Sequence, residues 1–348
     1  MKKLVCSLLF VIMALFAVDR VGGVAMQWVA RHTNDVLGPK LRYLQHDVHE
    51  DVVFVGASRC HHHYVPSIVA DSLGMSVYNA GVGGSDNIFS HYIVLCHILA
   101  RYTPRVICLE VMPTDVCQQD DPFQVLSFFA PLYGTNASAD SVYRVAGKSW
   151  QYQASHLLRY NAKAGSNLVG LVLNRQKGND CGYIPLPKPK AHLQQPVAEE
   201  AWPGVDSLKI AYIERFISIC RDRHIQLIFT ISPKYTLVPP SHYDTLRQIA
   251  RRHGIPLLDY HTRGLYLDHP EYFKDRTHLW DQGAPCWFHM GDVMLRKEQR
   301  SMGRHGRDHM SNFTQVRAAA RHKTLLLLWW IDGGRTVVEH STLARQGQ

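Results

Sequence analysis

The chain has 348 residues, 46% of them apolar and 19% charged, which is enough to bury a sizeable core as one large domain or two small ones. The formal net charge is +9, yet residues 285–348 alone carry ten Lys and Arg against five acids, and no basic stripe is interleaved with aromatics elsewhere. That distribution argues against a nucleic-acid partner. The eight cysteines form no CxxC pair and no zinc-like spacing, so they read as small buried hydrophobes, with Cys117 and Cys181 as one pair that an exported domain can bridge.

In chain order, Lys2 and Lys3 precede an apolar run from Leu4 to Val18, which Asp19 and Arg20 close. A basic segment followed by an apolar one is the pattern of a secretory signal or signal anchor. The run is short for a membrane span, and the apolar stretch from Val21 to Trp28 lengthens it. No A-x-A cleavage site follows, so residues 1–28 are read as an uncleaved membrane anchor and 29–50 as a linker. The positive-inside tendency then puts the rest on the periplasmic or other extracytoplasmic side. The alternatives are a secreted protein with a cleaved signal, or a buried N-terminal helix.

Asp51-Val-Val-Phe-Val-Gly-Ala-Ser reads as a buried strand running into a turn, and Pro66 to Leu73 as a helix. Ser76 to Gly84 is a second strand ending in a glycine-rich loop. Asn87 to Arg101 has helical apolar spacing, and Arg105 to Val111 is a third strand. Ser207 to Arg223 is an amphipathic helix, Gln226 to Ile231 a fourth strand, Leu246 to His253 a helix and Pro256 to Asp259 a fifth strand. Alternating strands and helices predict an α/β three-layer sandwich, with a doubly wound, mainly five-stranded parallel sheet. Residues from about 117 to 203, rich in Gln, Asn, Gly and Pro, read as an insertion over the sheet edge or the site mouth, helical from Val142 to Tyr160. The domain therefore spans 51–284. Residues 285–348 form an atypical basic tail, either disordered or the translation of a wrong frame.

Three groups of residues carry chemistry. Gly56-Ala57-Ser58-Arg59 ends the first strand. A serine on a tight strand-to-helix turn is accessible, and its own N–H stands beside it as an oxyanion donor. The bland reading of Ser58 is a helix cap. Asn79-Ala80-Gly81-Val82-Gly83-Gly84 follows the second strand, where glycines let backbone approach a ligand; the G-x-G-x-x-G spacing of a nucleotide site is absent. Asp275-Arg276-Thr277-His278 lies beyond the fifth strand, and an aspartate three residues before a histidine can orient its ring. His61, His62 and His63 invite a metal reading, but adjacent side chains on an extended segment point apart, so no metal site is expected. His62 and Arg59 are read as lining the substrate rim, with a surface salt bridge as the competing role of Arg59.

In this order, the three groups resemble the SGNH hydrolase superfamily, the GDSL-like esterases and lipases, over about residues 52–284 without the insertion. The resemblance implies a serine esterase that needs no cofactor or metal. Ser58 would be the nucleophile, His278 the acid–base and Asp275 its orienting carboxylate. The N–H groups of Ser58 and Gly84 would form the oxyanion hole, with Gly81 as the runner-up. The implied substrate is an O-acyl group on a carbohydrate or another small-molecule or envelope ester. Ala57 stands where the family usually has Asp. The third block lacks its usual Asn, and Thr114 is the nearest substitute donor. Two alternatives stay open: O-acyl transfer by the same residues, and a catalytically degenerate glycan-binding or scaffold domain.

Overall fold

A computed structural model describes residues 1–173, 180–190, 193, 195–198, 202–261 and 266–285. The tail reading for 285–348 thus lies outside the described residues, apart from Pro285.

The chain opens with α1 (Lys2–His32), long and apolar enough to cross a membrane and about 46 Å from end to end at 1.5 Å per residue. Its large apolar side chains between Leu4 and Val18 are exposed. Where that run stops, the Asp19 carboxylate accepts hydrogen bonds from the Ser155 hydroxyl and from the N–H groups of His156 (2.9 Å) and Leu157 (3.3 Å). The helix is therefore fastened to the body at the residue that ends its apolar stretch.

Residues 29–50, expected to be a linker, belong to the folded body. α2 (Gly38–His46) carries Pro39 in its first turn, where proline is tolerated, and the i, i+3 spacing of Leu41 and Leu44 puts both into the core. The sequence reading missed this because the segment is mostly polar outside those two residues.

The predicted α/β architecture is present. Five strands, β1 (Val52–Val55), β2 (Val77–Asn79), β3 (Val106–Glu110), β5 (Gln226–Ile231) and β7 (Leu257–Asp259), form one parallel sheet in the order β2-β1-β3-β5-β7. Two two-residue strands, β4 (Val197–Ala198) and β6 (Thr236–Leu237), pair separately. Alternation along each strand splits the core in two. Val53, Val55, Ile107, Leu109, Phe229 and Ile231 face one side, covered by α5 (Ile88–Leu99), α10 (Ser207–Asp222) and α11 (Asp244–His253). Val52, Phe54, Val106, Cys108 and Ile228 face the other, covered by α4 (Pro66–Leu73) and by Tyr266, Phe273 and Leu279. Sheet growth reverses between β1 and β3, and at such a switch point the crevice beyond the strand ends is open to a ligand.

The insertion is helical in pieces: α6 (Leu126–Phe129), α7 (Ala137–Val145), α8 (Ser149–Ala154), a 3₁₀ turn (Leu157–Lys163) and α9 (Ala164–Val172). The single helix expected from Val142 to Tyr160 is interrupted at Gly147, whose φ is +67°. The buried amine of Lys209 holds the start of the insertion through the carbonyls of Thr114 (2.9 Å) and Cys117 (2.7 Å). Its far end covers the β2 edge of the sheet, with the Asn79 N–H donating to the Cys181 carbonyl at 2.9 Å. Cys117 and Cys181 are unbridged; the first is buried and the second exposed.

Candidate active site

Ser58 is the first residue of the short helix α3 (Ser58–His63), three residues beyond the end of β1 and at the switch point of the sheet. Its hydroxyl lies 2.8 Å from His278 Nε2 although 220 residues separate them. On the other side of the ring, Nδ1 lies 3.0 and 3.1 Å from the two carboxylate oxygens of Asp275. With the proton on Nδ1 donated to that carboxylate, Nε2 is free to accept from Ser58.

The Asp275–His278 turn is tightly wound. The carboxylate also accepts from the N–H groups of Thr277 (2.8 Å) and His278 (2.9 Å), and the His278 carbonyl accepts from the N–H of Lys274 at 2.7 Å. Partial burial pushes the Asp275 carboxyl upward, but the hydrogen bonds from the His278 ring and the two N–H groups outweigh it and hold the group at about 2. The aspartate is therefore ionised across the physiological range. The His278 and Asp275 side chains are 22% and 52% exposed, so the site is open to water.

The three neighbouring histidines make different contacts. His62 is half-buried, stands edge-on to His278 at 5.6 Å between ring centres, and donates from Nδ1 to the Ile184 carbonyl at 2.7 Å. Burial drops it to about 4, so it stays neutral beside an imidazole that would carry charge during proton transfer. His63 is fully buried. Its Nε2 accepts from the Leu279 N–H (2.9 Å), so its proton sits on Nδ1, which faces Ser232 Oγ at 3.0 Å. The Ser232 hydroxyl donates to Glu110 Oε1 (2.9 Å), and the Arg59 guanidinium pairs with the same oxygen at 3.0 Å. His61 is 3% exposed and stacked on His62, and neither of its ring nitrogens has a hydrogen-bond partner among the described residues.

This places Arg59 away from the rim. Its side chain is 3% exposed, points under the sheet ends and is held between Glu110 and the Ser232 carbonyl (3.2 Å). Burial alone would weaken its charge, but Glu110 beside it keeps it firmly protonated. The brace joins the helix of Ser58, the ends of β3 and β5, and the residue after His278. Glu110 and Ser232 were not singled out from sequence, and His63 was read there only as one of the histidine triplet. The one available signal was Glu110, a lone acid closing an otherwise apolar strand.

In the glycine loop, the Gly81 N–H is taken by Asn79 Oδ1 at 2.9 Å and is not free for a ligand. The N–H groups of Ser58, Gly83 and Gly84 donate to no protein acceptor among the described residues. Gly84 has φ +79°, a region an L side chain resists, and an added Cβ would lie 2.9 Å from the Phe128 ring of the insertion. Phe128 thus sits over the loop, so the insertion borders the site as well as the sheet edge. Thr114 lies in the 3₁₀ turn Pro113–Asp115 after β3, and its hydroxyl oxygen is buried without a partner among the described residues.

No protein-family model matches the chain, and no curated protein matches it significantly. A functional reading therefore rests on the chain's own motifs and geometry.

Proposed function

We propose that this protein is a serine esterase of the SGNH type, held to a membrane by α1 and facing the extracytoplasmic side. The observation that carries the reading is the hydrogen-bonded series Ser58–His278–Asp275 at the carboxyl ends of the strands. Ser58 Oγ attacks the ester carbonyl while its proton passes to His278 Nε2. Asp275, ionised and bonded to Nδ1, holds the ring and stabilises the imidazolium. The N–H groups of Ser58 and Gly84, both free of protein acceptors among the described residues, receive the oxyanion. His278 then protonates the leaving alcohol, and water attacks the acyl-enzyme by the reverse proton path. The openness of His278 and Asp275 to water supports hydrolysis over acyl transfer, which must exclude water. An O-acyl group on a carbohydrate or another envelope molecule is the proposed substrate.

The test is hydrolysis of short acyl esters by the full chain in detergent. Ser58→Ala is expected to abolish turnover and labelling by a fluorophosphonate probe. Equal rates for the variant and the wild type would refute the proposal.

A further inference from the structure

We propose that Lys40 is a positioning residue for the oxyanion loop, so that the segment between α1 and the sheet forms part of the active site; this rests on the esterase reading. Lys40 lies on α2, is 5% exposed, and its amine donates to the Gly81 carbonyl. An amine buried without a carboxylate partner is costly to keep. No ion pair to Lys40 occurs among the described residues, and burial lowers it to about 7. The bond to Gly81 does not depend on its charge, because a neutral amine still has N–H to give.

The Gly81 carbonyl and the Val82 N–H belong to one peptide plane. Lys40 holds the carbonyl end, and the Gly56 carbonyl accepts from the Val82 N–H at 3.0 Å. That plane is thus clamped from both sides, one clamp on α2 and the other on the turn that carries Ser58. Asn79 fixes the preceding residue: its Oδ1 accepts from the Gly81 N–H, and its Nδ2 donates to the carbonyls of Cys60 (2.7 Å) and Tyr64 (2.8 Å). A side chain at position 81 would collide with α3, since its Cβ would come within 2.6 Å of the His61 nitrogen. The position requires glycine, and glycine by itself leaves the next peptide free to rotate. Lys40 removes that freedom. The next plane, which carries the Gly83 N–H, continues from this clamped one, and its Val82 carbonyl accepts from the Ser85 N–H (3.3 Å) and hydroxyl (2.7 Å).

The experiment compares the full chain in detergent micelles with Lys40→Met, which keeps the stem and loses the donor, and Lys40→Arg, which keeps a donor. Three readings are taken: hydrogen exchange in residues 80–87, kcat against KM for a short acyl ester, and the unfolding temperature. In Lys40→Met the expectation is faster exchange in 80–87, kcat lower by about tenfold and KM within about twofold, since lost oxyanion stabilisation acts on the chemical step. Lys40→Arg is expected to recover part of both. Unchanged exchange in 80–87, or kcat, KM and unfolding temperature failing together, overturns the inference. If Lys40→Met does not fold, Lys40→Gln, whose amide falls short of Gly81, carries the same expectations. If the wild type hydrolyses no ester, the esterase reading fails, while exchange in 80–87 still decides whether Lys40 holds the loop.

Discussion

Replacing Arg59 by Met separates two roles for this residue. On a substrate rim, as the motif suggests, the change would raise KM and leave stability alone. In the structure Arg59 and Glu110 are 3% and 1% exposed and share one short ion pair, so the substitution strands a buried carboxylate. Breaking a buried pair by removing one partner costs about 3–5 kcal/mol. At roughly 2–4 °C per kcal/mol for a domain of this size, the unfolding temperature should fall by about 10 °C. The loss should be partly reversed in Arg59→Met/Glu110→Gln, where no charge is left behind. It should also shrink as the pH is lowered. Burial already raises the Glu110 carboxyl, and removing Arg59 raises it further. A carboxyl whose folded value lies above its unfolded value favours the folded state below that value and loses the advantage as pH rises. Thermal unfolding of the full chain, followed by circular dichroism at several pH values, measures all three effects. An Arg59→Met variant that melts within about 2 °C of the wild type, with only KM altered, would show the brace to be inert and this reasoning wrong.

The same geometry sets three further outcomes. Asp275→Asn should leave the fold intact and lower kcat by about 10³–10⁴, because the ring loses the partner that sets its tautomer; a kcat within tenfold of wild type would remove Asp275 from the catalytic unit. Since Asp275 is held at about 2, its stabilising contribution is complete above the unfolded carboxylate value and is lost as pH falls from about 4 toward 2, so stability from this group should be flat from pH 5 upward. His63→Phe keeps a buried ring but deprives the Leu279 N–H of its acceptor, which should cost about 1–3 kcal/mol. A shift of the His278 loop by about 1 Å can lower the rate by about 100-fold. Unfolding temperature and kcat measured together test this, and wild-type values for both would show that the loop stands without the brace.

How much of the molecule can be read from the sequence follows from the range of the interactions involved. Strands stand out because residues buried on both faces must be apolar throughout, as in Val52–Val55 and Val106–Leu109. The Asp275–His278 bond is legible because it spans three residues and closes on itself. Ser58 is legible because a strand end followed by a helix start is a local event. The order of these pieces then suggested which of them meet. The partner of a buried polar group is another matter, because it is chosen by topology rather than by spacing. His63 reaches Ser232 across 169 residues, and Leu279 reaches His63 across 216. Arg59 is read as a rim residue from its place beside Ser58, yet the sheet order brings Glu110 beneath it. Lys40 looks like a surface residue of a polar linker until the packing of α2 carries it to Gly81. The sequence by itself thus determined the strands, the glycine loop, and the candidate nucleophile, base and orienting carboxylate. The tertiary structure alone decided what holds them in place, because a buried charge or donor must be satisfied by whatever group the fold brings near it.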